Sequence, residues 1–198
     1  VYSSTDADNL KYYMDNFQKD NPDIKVKVVR ESTGTMAAKM MAEKDNPQAD
    51  VLFEMAATVA LKMESQGMFH PYTPKGMDKI DQRYVDKEGE VNWVGNYGWA
   101  GCICWNTIEA KKLGLPKPKS WADLTNPIYK GLISMPNPNS SGTGFLDVSS
   151  WIQVMGEDAA WTYMDALHKN VGVYTHSGSK PCKQSGSGEF PIGISWPG

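Results

Sequence analysis

"VYSSTDADNLKYYMDNFQKDNPDIKVKVVRE", residues 1–31, decides the fold class of this chain. The first four residues are typical of a strand end. Apolar residues then recur at helical spacing, and Asp6 or Asp8 is placed to cap that helix. "NPD" ends the helix, and "IKVKVVRE" alternates between apolar and polar residues as a strand does. The stretch therefore predicts a β-α-β unit.

The same alternation continues to residue 67. "STG" opens a helix through "TMAAKMMAEKDN", "ADVLFEM" at 49–55 is a short buried strand, and "AATVALKMESQG" is a helix closed by Gly67. This order predicts an α/β fold with a largely parallel sheet. In such sheets ligands bind outside the carboxyl ends of the strands. Those ends carry small hydroxyl residues or a carboxylate, in "SSTD" at 3–6, "ESTGT" at 31–35 and "FEMAAT" at 53–58.

A second β-α pattern follows an irregular stretch at 68–98 that is rich in Pro, Gly, Asp and aromatic residues. It contains a strand in "GWAGCICWNT", a short helix capped at Ser120, a strand in "KGLISMPNP", a helix from about 145 to 168 and a last strand in "PIGISW". The change in composition predicts three parts: an N-terminal lobe at 1–98, a hinge or crossover strand at 99–106 and a second lobe at 107–198.

The overall composition narrows the range of partners. Of 198 residues, 40% are hydrophobic and 22% are charged, as in ordinary globular proteins, and the net charge is −3. The chain has no net positive charge that would attract nucleic acid by long-range electrostatics, so an anionic ligand needs a local site. The chain begins and ends abruptly in apparent strands, and from this we expect a fragment whose fold is incomplete at the C-terminus.

Three glycine- and hydroxyl-rich turns are the candidate ligand site. A helix N-terminus exposes unpaired N–H groups and partial positive charge, while glycine lets an anion approach the backbone. "NPNSSGTGF" at 137–145 alone is either an ordinary helix cap or an anion site. "HSGS" at 176–179, which Lys180 follows, and "ESTGT" at 31–35 are similar turns, and three of them favour one cleft lined with donors. The candidate residues are Thr33, Gly34, Ser140, Ser141, Gly142, Thr143, His176, Ser177 and Ser179.

The sequence gives little support for an enzyme. The sequence has no GxSxG elbow, GxxxxGK[ST] phosphate loop, GxGxxG fingerprint or HExxH pair, so we assign no catalytic residue, metal or cofactor. His176 is either a ligand residue or a structural histidine. Glu54, at the end of a predicted strand, either pairs with a cation or amine or holds a neighbouring loop.

The three cysteines leave two alternatives. Cys102 and Cys104 point to the same face of a predicted strand, and either one is placed to reach Cys182. The chain therefore has three thiols or one disulfide. The spacing is not that of a zinc site.

The stretches "VYSSTDADNLKYYMDNFQKDNPDIKVKVV", "ADVLFEM" and "PNPNSSGTGF" resemble those of periplasmic solute-binding proteins of ABC importers, in the branch that binds ferric ion or phosphonates. "SGSKPCKQSGSGEFPIGISW" is most similar to the 2-aminoethylphosphonate-binding members. The resemblance implies a two-lobed type II fold with mixed sheets flanked by helices. The tyrosines that hold iron in the ferric branch are absent at Ser195 and Trp196, which favours a phosphonate or phosphate ester.

The resemblance also implies roles and partners. Ser4, Thr33 and Glu54 are expected to come from one lobe, with Glu54 pairing an ammonium group, and the other turns to hold the anion between the lobes. We expect no enzyme but a monomer that delivers its ligand to the membrane subunits of an importer. Its expected location is periplasmic, or extracellular and membrane-anchored in a Gram-positive bacterium. The alternatives are an Fe(III)-binding protein with a synergistic anion and, in another class, a phosphate-ester hydrolase or transferase.

Overall fold

A computed structural model describes residues 1–87 and 89–196. The chain divides into two compact units, Val1–Gly98 and Trp99–Gly198. Residues 99–106 belong to the second unit, and their predicted role as a hinge stays a prediction.

The first unit has the predicted β-α-β-α-β-α order. Its parallel sheet has the strand order β2-β1-β3. The strands are β1 (Tyr2–Ser3), β2 (Val29–Arg30) and β3 (Leu52–Phe53). The helices are α1 (Ala7–Asp20), α2 (Thr33–Ala42) and α3 (Ala57–Ser65). Gly67 follows α3 with a φ of 65°, as predicted for a helix-ending glycine.

Two details of the first unit differ from expectation. "IKVKVVRE" was predicted as a strand throughout, but only Val29–Arg30 pairs with β1. Ile24 and Val28 are exposed and unpaired with β1, whereas Val29 is equally exposed and is held in the sheet by its pairing with Tyr2. Asp6 precedes α1 but does not cap it with its side chain; its carboxylate lies 3.5 Å from the Arg30 guanidinium.

The core of the first unit is small and rich in methionine. Tyr2 of β1 packs with side chains from α2 and α3. The buried members are Tyr2, Met36, Met40, Val59 and Met63. Residues 68–87 and 89–98 are irregular, as predicted, with 3₁₀ turns at Met77–Lys79 and Gln82–Tyr84 and a bridge between Val85 and Val94.

The second unit contains a four-stranded mixed sheet in the order β4-β7-β5-β6. β4 is antiparallel to β7, while β5 is parallel to both β7 and β6. The strands are β4 (Cys102–Trp105), β5 (Ile133–Pro136), β6 (Val171–Thr175) and β7 (Ile192–Ser195). The helices are α4 (Thr107–Lys112), α5 (Gly142–Met155), α6 (Glu157–His168) and α7 (Lys180–Ser187). The short helix expected at Ser120 is the 3₁₀ turn Ala122–Thr125, and Ser120 Oγ accepts a hydrogen bond from Asp123 N–H at 3.4 Å.

The long helix predicted from about 145 to 168 is wrong as a single element. Gly156 separates α5 from α6 with φ 84° and ψ 156°, a backbone conformation open mainly to glycine. The two helices fold back on each other, and the rings of Trp151 and Tyr163 meet edge to face with centroids 5.1 Å apart. Both rings belong to the core over the sheet, beside Ile133, Ile192 and other buried apolar residues.

Within residues 1–87 and 89–196, no helix combines the length and apolar character that crossing a bilayer requires.

Candidate anion-binding site

Two of the predicted turns meet because β5 and β6 are parallel neighbours. Pro136, the last residue of β5, pairs with Thr175, the last residue of β6. Asn137 N–H donates to Thr175 O at 2.7 Å, so the pairing extends one residue beyond β5. The segments that follow the two strands, 137–141 and 176–179, therefore start from the same edge of the sheet.

The first turn ends in a capped helix N-terminus. Ser141 is the N-cap of α5, and its Oγ accepts a hydrogen bond from Gly144 N–H at 3.4 Å. The first intrahelical bond runs from Phe145 N–H to Ser141 O, at 3.0 Å. The N–H groups of Gly142 and Thr143 precede this bond and have no partner within the helix. They are the donors that a helix N-terminus offers to an anion.

Gly178 joins the second turn to the first. A Cβ built on Gly178 would lie 2.9 Å from Thr143 Cβ and 3.2 Å from Ser141 Oγ, so only glycine fits this approach. The Gly178 carbonyl accepts a hydrogen bond from Ser195 Oγ at 2.5 Å, which ties the turn to the end of β7. Neither Gly178 nor Ser195 was predicted as a site residue. The motif "HSGS" contained the signal for Gly178, but the neighbour that demands glycine is 35 residues away.

The polar side chains of the two turns form one cluster. Ser140 Oγ lies 3.0 Å from His176 Nδ1, and Ser177 Oγ lies 3.3 Å from Ser179 Oγ. Thr175 Oγ1 donates to Ser177 O at 2.8 Å, which fixes the chain between β6 and α7. The structure thus brings together all seven predicted residues of the second unit: Ser140, Ser141, Gly142, Thr143, His176, Ser177 and Ser179.

Burial divides this cluster into two layers. Ser141, Thr143 and Ser179 are buried, with relative exposures of 3%, 5% and 9%. Ser140, Gly142 and Ser177 are half-buried, and His176 is exposed. The buried hydroxyls shape the turns, while the others present donors at the surface of the unit. α7 begins at Lys180, so a second helix N-terminus lies beside that of α5.

In the first unit, Glu54 is the centre of a separate hydrogen-bonded group. Ser4 Oγ donates to Glu54 O at 3.0 Å, Thr5 Oγ1 donates to Oε2 at 2.5 Å, and Asn96 Nδ2 donates to Oε1 at 3.0 Å. Glu54 has a φ of 54°, an uncommon conformation for a residue other than glycine. These contacts favour the loop-holding interpretation of Glu54, because Asn96 belongs to the irregular segment. Thr5 and Asn96 were not predicted.

Thr33 and Gly34 form the first turn of α2, directly after β2. β2 is the neighbour of β1, so both residues follow the same sheet edge as Ser4. Both are half-buried. Their assignment to a ligand site stays a prediction.

A buried carboxyl lies one turn beyond Thr143 on α5. Asp147 has a relative exposure of 2%, and its Oδ2 has no hydrogen-bond partner among the described residues. Burial raises the pKa of this carboxyl from 3.8 to about 8, so it is protonated at neutral pH. Its other oxygen approaches the backbone of Gly101, which again leaves no room for a side chain.

The cysteine question resolves into one disulfide and one thiol. Cys104 and Cys182 are bonded, with their Cα atoms 5.4 Å apart, and Cys102 is free. Among the described residues, the cluster of His, Cys, Asp or Glu groups close enough to share a metal ion consists of these three cysteines. The disulfide joins β4 to α7, the helix that follows Ser179.

Residues 3–198 match the family model of the bacterial extracellular solute-binding proteins. The chain belongs to this family. The periplasmic binding protein AfuA from Actinobacillus pleuropneumoniae, solved with fructose-6-phosphate bound, is 33% identical, with a TM-score of 0.88 over 98% of this chain and 62% of AfuA. This likeness confirms the predicted type II fold.

Two curated relatives agree with this membership. A Haemophilus influenzae protein is 34% identical over 87% of this chain and 51% of its own length. A probable ABC transporter periplasmic-binding protein of Sinorhizobium fredii, y4fP, is 25% identical over 87% of this chain and 48% of its own length. The chain therefore spans about half the length of the curated relatives it matches. The predicted special closeness to 2-aminoethylphosphonate-binding members stays a prediction.

Proposed function

We propose that this solute-binding chain belongs to the substrate-binding component of an ABC importer in the periplasm and captures a small phosphorylated organic anion. The ligand is a phosphate ester or a phosphonate such as 2-aminoethylphosphonate. The observation that carries the proposal is the packing of Gly178 against Ser141 and Thr143, which brings two strand-to-helix turns and their donors together.

The turns suit a tetrahedral group that carries negative charge on its oxygens. The N–H groups of Gly142 and Thr143 and the hydroxyls of Ser140 and Ser177 supply uncharged donors, and His176 adds a ring nitrogen 3.0 Å from Ser140. The N-termini of α5 and α7 add partial positive charge. Hydrogen bonds to a charged group contribute about 1.5–3 kcal/mol each. Such bonds hold the ligand without any covalent bond being made or broken.

The described contacts say less about the organic part of the ligand than about its anionic group. AfuA, at 33% identity, was solved with a sugar phosphate, which supports a phosphate ester. A 2-aminoethylphosphonate ligand instead needs an acidic partner, the role expected of Glu54. Each Glu54 carboxylate oxygen already accepts one hydrogen bond, from Thr5 or Asn96. A carboxylate has about four acceptor positions, so Glu54 retains capacity for an ammonium group.

Titration calorimetry on the full-length protein tests the proposal. The panel is 2-aminoethylphosphonate, fructose 6-phosphate, inorganic phosphate and ferric citrate. We expect tight binding of at least one of the first two and binding of inorganic phosphate that is weaker by about tenfold or more, since it lacks the organic part. Absence of heat with every phosphorylated compound, together with binding of ferric citrate, would overturn it in favour of the iron-binding alternative.

The hydrolase alternative rests on one contact. Ser140 Oγ and His176 Nδ1 are 3.0 Å apart, within the range of a nucleophile and its base. The same two groups also serve as ligand donors, and the family of this chain is named for binding solutes. Incubation with a chromogenic phosphate ester separates the two: we expect no phosphate release above that of a Ser140→Ala variant.

A further inference from the structure

Three sulfur atoms lie together where β4 faces α7. Cys102 Sγ is 3.9 Å from Cys104 Sγ, and the sulfurs of Cys102, Cys104 and Cys182 all lie within 4.8 Å of one another. Cys104 is bonded to Cys182, so Cys102 is a free thiol in contact with a disulfide. Since the disulfide sulfurs have no proton to give, the Cys102 thiol is the donor in its contact with Cys104.

The sheet holds the three cysteines in this arrangement. Cys102 and Cys104 are two residues apart on β4 and project from the same face. Cys104 pairs with Gly193 of β7. A Cβ built on Gly193 would lie 2.6 Å from the carbonyl carbon of Pro181 and 3.1 Å from the nitrogen of Cys182. Because Gly193 has no side chain, the start of α7 rests on the sheet and Cys182 reaches both cysteines of β4.

We propose that these three residues form an intramolecular thiol–disulfide exchange site, in which Cys182 alternates between Cys104 and Cys102. The inference goes beyond ligand capture and does not depend on which ligand is bound.

The exchange is balanced within the chain. The Cys102 thiol loses its proton to solvent, and the resulting thiolate attacks Cys182 Sγ. The Cys102–Cys182 bond forms, the Cys104–Cys182 bond breaks, and the Cys104 sulfur leaves as a thiolate that takes up a proton from solvent. One disulfide and one thiol are present before and after, so no oxidant or reductant is needed.

The product of attack on Cys182 is favoured over the product of attack on Cys104 by the geometry of the strand. A Cys102–Cys104 bond would join residues two apart on an extended strand, at a Cα separation of about 6.4–6.8 Å, the upper limit for a disulfide. A Cys102–Cys182 bond joins β4 to α7, as the existing disulfide does. The two alternative disulfides therefore share Cys182.

The surroundings of Cys102 set a slow rate at neutral pH. Burial, and then the negative charge of Asp147 when it is ionised, raise the pKa of the Cys102 thiol above its usual value of 9.0. The thiolate is the attacking species, so little of it is present at pH 7. Exchange should become faster as the pH rises toward and beyond 9.

Differential alkylation tests the proposal on the unreduced full-length protein. Samples incubated at about pH 7 and pH 9 are quenched with acid, labelled with N-ethylmaleimide and digested. Fragmentation of the peptide that contains Cys102 and Cys104 then locates the label. We expect the label on Cys102 at first. After incubation we expect some molecules labelled at Cys102 and others at Cys104, and the rate at which Cys104 labelling appears should not depend on protein concentration. Label that stays confined to Cys102 at pH 9 overturns the proposal.

A pair of variants gives an independent readout. Cys104→Ser should form a Cys102–Cys182 disulfide and leave no free thiol, whereas the control Cys102→Ser keeps Cys104–Cys182. Two free thiols in folded Cys104→Ser protein, isolated under oxidising conditions, contradict the exchange. If that variant does not fold, the labelling of the unaltered protein decides the matter alone.

Discussion

Gly178 packs directly against Thr143, although 35 residues separate them along the chain. A Cβ on Gly178 would lie 2.9 Å from Thr143 Cβ, inside any contact that carbon atoms tolerate. Thr143 is buried, and its branched side chain has little freedom to move away. The close approach of the two turns of the candidate site therefore depends on the absence of a Cβ atom at residue 178.

Gly178→Ala should separate the turns. We expect the free energy of unfolding to fall by about 1–3 kcal/mol, as in other overpacked sites, and the affinity for the phosphorylated ligand to fall about tenfold or more. Urea unfolding and calorimetry measure the two effects. Gly186→Ala in α7 is the matched control, because a Cβ there meets open space, and it should leave affinity unchanged. Equal behaviour of the two variants would refute the packing argument.

Removing both buried hydroxyls of α5 tests its N-terminus. The double variant Ser141→Ala, Thr143→Ala loses the cap to Gly144 N–H, so stability should fall by about 1 kcal/mol. Affinity for the phosphorylated ligand should fall at least about tenfold while the fold survives. Ser149→Ala on the same helix, whose hydroxyl donates to Leu146 O at 3.0 Å, is the control. Unchanged affinity of the double variant would show that the turn is only a cap.

Asp147→Asn should alter how stability depends on pH. The folded pKa of Asp147 is raised from 3.8 to about 8, so the folded chain binds this proton more tightly than the unfolded chain. The stabilising contribution is full below about pH 4 and is lost as the pH rises to about 8. In the unaltered protein this loss lowers the free energy of unfolding by an amount on the order of a few kcal/mol. We expect Asp147→Asn to lack this decline and the control Ser149→Ala to keep it. Urea midpoints at pH 5 and pH 8 measure it; parallel declines in Asp147→Asn and the unaltered protein would contradict the assignment.

Glu54 offers a test of stored backbone strain. Both Glu54→Gly and Glu54→Ala lose the hydrogen bonds from Thr5 and Asn96, but only glycine adopts a φ of 54° freely. We therefore expect the alanine variant to be less stable than the glycine variant by about 1 kcal/mol in urea unfolding. Glu31 is the control, because its backbone is outside the left-handed region. There we expect the alanine variant to be as stable as the glycine variant or more stable. The same order at both positions would exclude strain at Glu54.

Local sequence patterns predicted the elements whose ends are marked by special residues. Gly67 after α3 was identified because a glycine that ends a helix has a local physical cause. The stretch "NPNSSGTGF" was identified as a candidate helix cap before α5 for a similar reason, since hydroxyl side chains accept hydrogen bonds from the first N–H groups of a helix. The β-α alternation of the first unit, and with it the α/β fold, followed from periodicity. The grouping of "NPNSSGTGF" with "HSGS" was also predicted, since residues that follow parallel strands share one sheet edge.

The remaining features depend on contacts between distant residues. The helical periodicity on either side of Gly156 hid the break, because each half is a good helix by itself. Alternation predicted a long strand in "IKVKVVRE", yet a strand needs a partner, and only Val29 and Arg30 of this stretch pair with β1. The choice of Cys104 over Cys102 as the partner of Cys182 was not predictable, because both cysteines point the same way.

The place of β7 in the sheet has a consequence for the order of folding. β7 separates β4 from β5, although residues 192–195 come after every other strand of the second unit. Until that segment has been synthesised, β4 has no neighbour in the sheet, and β5 and β6 form only a pair. Such non-local pairing folds slowly. The hydrogen bond from Ser195 to the Gly178 carbonyl also cannot form before β7 is in place. A nascent chain thus completes the support of its candidate anion-binding turns only after β7 has entered the middle of the sheet.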